Sequence, residues 1–330
     1  VPFAIKVKKE EAEKLRKRLV KKGLLDSRWS IVERDGFLYL PVTENVENAI
    51  EIELPPRKEK KKPYEMIKNM VGDIEIPDFW EKIGDVIILP PFKEYKKYGD
   101  LVGKAFAQVL KVKTVVINKG IYGELRKPNI EIIYGHETET IHVENGIRYK
   151  LDISKIMFSS GNVEERIRMS KINAKDETIV DLFSGIGYFT LPLAIYGKAK
   201  KIYACEKNPV AFHYLLENIR LNNVTYNIIP LLGDNRKIAP QNIADRVIMG
   251  YIHTENFLTF GFKTLKKEGG IIHYHDTFTS EEVKWKPEEN LKTYAKKFGF
   301  NIEILFKRKI KSYAPHIWHV VTDARAVPKD

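Results

Sequence analysis

TIVDLFSGIGYFTLPLAIYG, residues 178–197, decides the fold. An apolar pair, Ile179 and Val180, runs into Asp181. A loop carrying Gly185 and Gly187 follows, and then an apolar helix from Tyr188 to about Tyr196. Strand, glycine loop and helix in that order open a doubly wound α/β sheet, and the glycines let a ligand approach the backbone at the helix N-terminus. The spacing is not G-x-G-x-x-G and no third glycine follows. That disfavours a dinucleotide pyrophosphate and suits a smaller adenosine ligand.

The downstream sequence repeats the theme. KIYACE (201–206) is a strand ending in Glu206, 25 residues after Asp181, where a carboxylate can bind both hydroxyls of a ribose. A helix is expected over 208–223. NIIPLLGD (227–234) leads to Asp234 and Asn235, an acid and an amide able to read an adenine amino edge. DRVIMGYIH (245–253) supplies a fourth strand, and its tip carries Gly250, Tyr251, Ile252 and His253. Asp181, Glu206 and Asp234 stand at the carboxyl ends of three consecutive strands, the side on which open α/β sheets bind ligands. With the glycine loop they describe a site for S-adenosyl-L-methionine.

Upstream the chain is organised differently. Residues 1–54 form a small α/β unit: a strand at 3–7, a helix at 10–22 stopped by Gly23, and a hairpin turning at Asp35-Gly36. PPRKEKKKP (55–63) is a basic linker. Residues 64–155 form a second α/β block, with strands at 83–90 and 113–120 around a helix at 99–111, then 129–135 and 138–152 as a hairpin with an Asn145-Gly146 turn signal. Arg126 and Lys127, in the polar loop 123–129, are candidates for RNA contact or ordinary surface charge. From 156 to 330 strands and helices alternate, as a parallel sheet requires.

The 330 residues carry a net charge of +12, with 56 basic and 44 acidic side chains, an excess that favours a polyanionic partner such as nucleic acid. No apolar run approaches the roughly 18 residues of a membrane span, and 1–14 lacks the apolar core of a signal peptide, so a cytoplasmic protein is expected. One cysteine, Cys205, leaves no partner for an intramolecular disulfide and no Cys-rich zinc site. His273 and His275 alternate on one strand without a third ligand at matching spacing, so no metal is expected. The Lys- and Glu-rich composition leans towards a thermophile.

D-L-F-S-G-I-G-Y-F, E-K-N-P and G-D-N resemble the class I S-adenosylmethionine-dependent transferases. FSSGNVEERIRM (158–169), GGIIHYHD (269–276) and IKSYAPHIWHVV (310–321) narrow the resemblance to two sister families over roughly residues 80–330. One is the archaeal and eukaryotic tRNA guanine-37 N1-methyltransferases. The other is the aminocarboxypropyltransferases of the wybutosine pathway, which act on 4-demethylwyosine at the same position. The resemblance implies a Rossmann-like catalytic domain preceded by two smaller α/β domains. It implies cofactor contacts at Asp181, Phe183, Gly185, Gly187, Glu206, Asp234 and Asn235, with Ser159 and Arg166 holding the carboxylate of the methionine arm. From the residues alone, Arg166 reads rather as charge on the solvated face of a helix over 162–171, where EERIR is an ordinary charged run. Glu165 matches the general-base position of the methyltransferase sister, His253 can reach base or cofactor, and Lys311 and Tyr313 can contact the tRNA anticodon arm.

The fourth-strand tip separates the sisters. The methyltransferases carry Asn-Leu-Pro there, whereas this sequence has no Asn or Pro and resembles the Met-Gly-Tyr of the aminocarboxypropyltransferases. The expected reaction is therefore attack by the base carbon on Cγ of the methionine arm. The N-terminal unit, by contrast, resembles the methyltransferase branch. Guanine N1-methylation and a non-catalytic RNA-binding role stay open at this point, and a Rossmann oxidoreductase is disfavoured by the missing third glycine.

Overall fold

The computed structural model describes residues 1–57 and 62–329. They divide into two compact units, Val1–Met66 and Ile67–Asp330.

In the first unit, β1 (Phe3–Lys8), α1 (Lys9–Lys21), β2 (Val32–Arg34), β3 (Phe37–Val42) and β4 (Ala49–Glu51) build one antiparallel sheet in the order β2-β3-β1-β4, with α1 against it. Ala12 and Leu19 lie seven residues apart on one helical face and pack on Leu40 and Val42. Asp35 and Gly36 both adopt positive φ, 51° and 75°, as a two-residue hairpin turn needs. Of the expected basic linker, residues 58–61 lie outside the described residues. Pro56 pairs with Trp29, and Pro63 opens a helix, α2 (Pro63–Val71).

The second unit begins with a four-stranded sheet, β5-β6-β7-β8, made of β5 (Glu81–Ile83), β6 (Val86–Leu89), β7 (Thr114–Tyr122) and β8 (Lys127–Tyr134), with α3 (Tyr95–Leu110) crossing between β6 and β7. The single strand expected over 83–90 is instead a hairpin folded at Gly84-Asp85, because Gly84 takes a positive φ of 54°. β8 pairs back onto β7. The hairpin with the Asn145-Gly146 turn is β9 (Glu139–Glu144) and β10 (Ile147–Asp152) alone.

Then come α4 (Val163–Ser170), β11 (Thr178–Asp181), α5 (Thr190–Ile195), β12 (Lys201–Glu206), α6 (Pro209–Leu221), β13 (Ile228–Leu232), α7 (Asn235–Ile238), β14 (Arg246–Met249), α8 (Leu258–Thr264), β15 (Gly270–Thr279), α9 (Lys286–Lys297), β16 (Phe300–Ala314) and β17 (Ile317–Pro328). The sheet runs β13-β12-β11-β14-β15-β17-β16, with the first five strands parallel and β17 antiparallel to both neighbours. Both faces are buried. Ile179 and Ile248 point into one core, and their chain neighbours Val180 and Val247 into the other, which is why these strands are continuously apolar. The first core extends through Tyr149, Leu151 and Val116. Packing is continuous across residue 155, and the compact division falls at 66/67. Among the described residues no helix is long and apolar enough to cross a membrane.

Candidate active site

A cavity of about 430 Å³ opens over the carboxyl ends of β11, β12 and β14, at the point where the strand order reverses. Its floor is the glycine loop. Gly185 has φ of 57°, and a Cβ there would sit 2.6 Å from the Tyr188 ring, so only glycine fits. The Tyr188 hydroxyl donates to the Met157 carbonyl at 2.5 Å, tying the loop to the segment before α4. Gly250, at the tip of β14, faces Phe189: a Cβ would lie 2.5 Å from the ring. The glycine in Met-Gly-Tyr is therefore a matter of space.

On the β12–β13 side, Glu206 accepts from the backbone N–H of Gly185 at 2.8 Å and of Asn208 at 2.7 Å. Burial raises its pKa, and those N–H groups work the other way. Asn235 donates from Nδ2 to the Leu182 carbonyl at 2.7 Å, while its buried Oδ1 has no partner among the described residues. Asp234 is paired with Arg236, which brings its carboxyl down to about 2. Phe183 stacks on Tyr251 with ring centres 5.4 Å apart. An acceptor for ribose hydroxyls, an unfilled acceptor for an adenine amino group and a flanking aromatic pair fit an adenosine.

The opposite end, towards β16, is cationic. Lys311 donates to the Ser159 hydroxyl. Burial lowers the Lys311 pKa, and the charges of Arg126 and Arg166 lower it further. Ser159, Lys311, Arg126 and Arg166 all line the cavity. Arg126 stands at the tip of the β7–β8 hairpin, which leans over the opening: Tyr251 donates to the Glu124 carbonyl at 2.8 Å, and Lys207 pairs with the Glu124 carboxylate at 2.7 Å.

Several expected site residues have different surroundings. Asp181 does not line the cavity; it is fully buried, accepting from Thr190 Oγ1 at 2.7 Å and Phe183 N at 3.2 Å, and burial pushes it up to about 7. Its direct contact is with the glycine loop. Gly187 is also buried, and a Cβ there would sit 2.8 Å from the Leu191 side chain. Arg166 is not on a solvated helix face, being 3% exposed, and its fork is already filled by Glu144 at 2.6 and 2.7 Å, with Nη1 donating to the Ser159 carbonyl. Against burial, which acts the other way, Arg166 draws Glu144 down to about 2. Glu165, one position earlier on α4, faces away from the cavity into Arg168, 2.6 and 2.9 Å away. His253 lines the cavity with φ of 59°, and its N–H is held by Asp276 at 2.6 Å. Tyr313 lines the rim, whereas Lys127 is exposed and outside the cavity. His273 is a buried structural residue between Arg246 and Asp323, both 2.7 Å away. Among the described residues, no group of three His, Cys, Asp or Glu side chains is arranged to hold a metal ion.

Three residues that the sequence reading did not single out for the site belong to it. Tyr188 braces the loop, Glu124 ties down the hairpin, and His319 lines the cavity from β17. The strand alternation of IWHVV could have placed His319 on the same face as Val321 and Asp323, but not opposite a cavity.

Residues 140–305 match the TRM5/TYW2 methyltransferase domain, 64–138 the TYW2 N-terminal domain and 4–51 the tRNA methyltransferase 5 N-terminal domain. This chain belongs to the TRM5/TYW2 family. It is 46% identical over 267 residues to the tRNA(Phe) (4-demethylwyosine(37)-C(7)) aminocarboxypropyltransferase of Pyrococcus horikoshii, covering 81% of this chain and 93% of that one. It is 37% identical over 333 residues to the tRNA (guanine(37)-N(1))-methyltransferase Trm5b of Pyrococcus abyssi, covering 98% of each. The crystal structure of P. horikoshii TYW2 in complex with MeSAdo superposes with a TM-score of 0.73 at 41% identity, covering 81% of this chain and 99% of that one. The N-terminal unit thus follows the methyltransferase pattern, as its sequence suggested, while higher identity lies with the aminocarboxypropyltransferase.

Proposed function

We propose that this chain transfers the 3-amino-3-carboxypropyl group of S-adenosylmethionine to C7 of 4-demethylwyosine at position 37 of tRNA-Phe. Beside the family relationship, the observation that carries this is the cationic end of the cavity. Adenosine fits against Glu206 and Asn235, and Lys311, with Ser159 and the spare N–H groups of Arg166, receives the carboxylate of the methionine arm there. An arm drawn towards β16 leaves Cγ, rather than the methyl, exposed to an incoming base. The sulfonium activates Cγ, C7 of the base attacks it, and methylthioadenosine leaves. The chain's own contribution is chiefly position: it aligns carbon and leaving group and keeps water out.

A base in the anticodon loop enters such a cavity without opening a duplex. Exposed Lys127, Tyr313 at the rim and the excess positive charge are our candidates for holding the anticodon arm, and the units preceding residue 156 add RNA contact or orientation.

Incubation with S-adenosylmethionine and tRNA-Phe bearing 4-demethylwyosine tests the reaction. Methylthioadenosine is the expected co-product; S-adenosylhomocysteine would assign the chain to guanine N1-methylation instead. Absence of any affinity for S-adenosylmethionine would leave only an RNA-binding role.

Lys311→Met keeps the stem and removes the charge. It is expected to raise KM for S-adenosylmethionine roughly 10–100-fold, the worth of one charged hydrogen bond, and to leave methylthioadenosine affinity unchanged, since that molecule lacks the arm. A KM rise confined to tRNA would place Lys311 on phosphate instead.

A further inference from the structure

Attack by C7 leaves the base cationic, with hydrogen and alkyl group on one carbon. A proton must leave, and Glu165 does not reach the cavity to take it. Two histidines do line the cavity, His253 and His319. The His253 ring is exposed and makes no hydrogen bond among the described residues; it lies edge-on to Tyr313 at 6.3 Å. His319 is 5% exposed and its Nε2 lies 3.2 Å from Nδ1 of His275. His275 is wholly buried, stacked on Phe189 at 5.3 Å, and its Nε2 has no hydrogen-bond partner among the described residues but faces Glu165 Oε1 at 3.6 Å.

We infer that His319 accepts the C7 proton, and that His275 and Glu165 are positioning residues that hold it in the tautomer able to do so. The inference rests on the aminocarboxypropyl reading above. Arg168 and Arg308 lie on the Glu165 oxygens, at 2.6 and 3.4 Å, and fix the carboxylate in place. A fixed carboxylate sets His275 with its proton on Nε2, so Nδ1 is left as an acceptor. His319 must then donate from Nε2, which leaves Nδ1 with a free lone pair. The carboxylate–imidazole order is that of a catalytic triad with a second imidazole in place of the nucleophile.

The electrons balance. The C7 π pair forms the bond to Cγ, and the Cγ–S pair goes to sulfur, which becomes a neutral thioether. The C7–H pair then returns to the ring, and the proton passes to His319 Nδ1. The imidazolium so formed keeps its hydrogen bond to His275, with the Glu165 charge behind it. Burial keeps both histidines unprotonated at neutral pH, pushing each down to about 3. His275 is pushed further by His273 and Arg168 against Asp323, and His319 by His275, Lys311 and Arg126 against Glu165. A weak base suffices, because a C–H on a cationic ring is strongly acidic.

The test uses the full chain and tRNA whose target base carries deuterium or hydrogen at C7. In the wild type, proton loss follows a slower bond-forming step and no primary isotope effect is expected. His319→Asn is expected to lower kcat about 10²-fold or more, to leave KM for S-adenosylmethionine unchanged, and to reveal a primary isotope effect. His275→Gln and Glu165→Gln are expected to reveal the same effect with smaller losses, which a merely structural defect would not do. Full activity in His319→Asn, or lost activity without the isotope effect while both substrates still bind, overturns the inference. Should His319→Asn not fold, His275→Gln decides: a primary isotope effect there supports His319, and its absence while both substrates still bind overturns the inference. If the wild type releases S-adenosylhomocysteine, it is the reaction assignment that has failed, a result distinct from each of these.

Discussion

Glu206→Ala is expected to weaken binding of S-adenosylmethionine by about two orders of magnitude or more, with tRNA affinity unchanged. Glu206 does two jobs at the tip of β12. Its oxygens hold the N–H groups of Gly185 and Asn208, fixing the glycine loop and the start of α6, and they present negative charge where the ribose hydroxyls would lie. A hydrogen bond to a charged group contributes about 1.5–3 kcal/mol, and leaving its partner unpaired in a buried site adds to the loss. Removing the carboxylate strips two backbone donors and the ligand together. Glu206→Gln keeps the shape and one acceptor, so it is expected to fall between. Calorimetric titration of each variant with S-adenosylmethionine measures the effect. An alanine variant within threefold of the wild type would mean that the adenosine lies elsewhere.

The catalytic sheet was legible because its strands are buried on both faces and end in chemistry. Ile179-Val180-Asp181 and the stretch from Lys201 to Glu206 state their own limits, and the strand expected over 201–206 is β12 to the residue. Local pattern fails where the deciding partner lies on another element. Arg166 sits in a run of charge that resembles a solvated helix, yet Glu144 of the β9–β10 hairpin, 22 residues upstream, takes it into the interior. Glu165 and Arg166 are neighbours in sequence but about 100° apart around the helix, so one faces Arg168 and the other lines the cavity. Asp181 was expected at the ligand. It stops one layer short because Thr190 and the Phe183 N–H, both within nine residues, satisfy it first. The meeting of His275 and His319 depends on the antiparallel register of β15 and β17, in which Thr277 lies opposite His319. Nothing in either strand alone fixes that register.

The same long-range pairing makes Arg168 the side chain whose removal is expected to cost the most stability. Arg168 spans from Glu165, at 2.6 and 2.9 Å, to Asp323, at 2.5 Å, and Asp323 continues to His273. Arg168→Met fills the space but leaves two buried carboxylates facing each other with less compensating charge. Breaking one partner of a buried ion pair typically costs about 3–5 kcal/mol, and at roughly 2–4 °C per kcal/mol for a unit of this size the midpoint should fall by about 6–20 °C. The pH dependence carries the sign. Burial alone would raise Asp323, but His273 and Arg168 outweigh it and hold the carboxyl well below its ordinary range. Stability from a depressed carboxyl is present above the unfolded value, near 3.9, and is lost as pH falls through the folded one. The gap between wild type and Arg168→Met should therefore be widest at neutral pH and close as pH drops below about 4. His275 and His319 act in the same direction over a higher window. Each is held at about 3 against an ordinary 6.5, so the unfolded chain takes up their protons first, and both proteins lose stability as pH falls from 6.5 towards 3. Thermal melts of wild type and variant from pH 8 to 3 separate these contributions. A difference that stayed constant across that range would show that Arg168 stabilises the fold by packing on the Phe306 ring, 4.5 Å away, and not by holding Asp323 ionised.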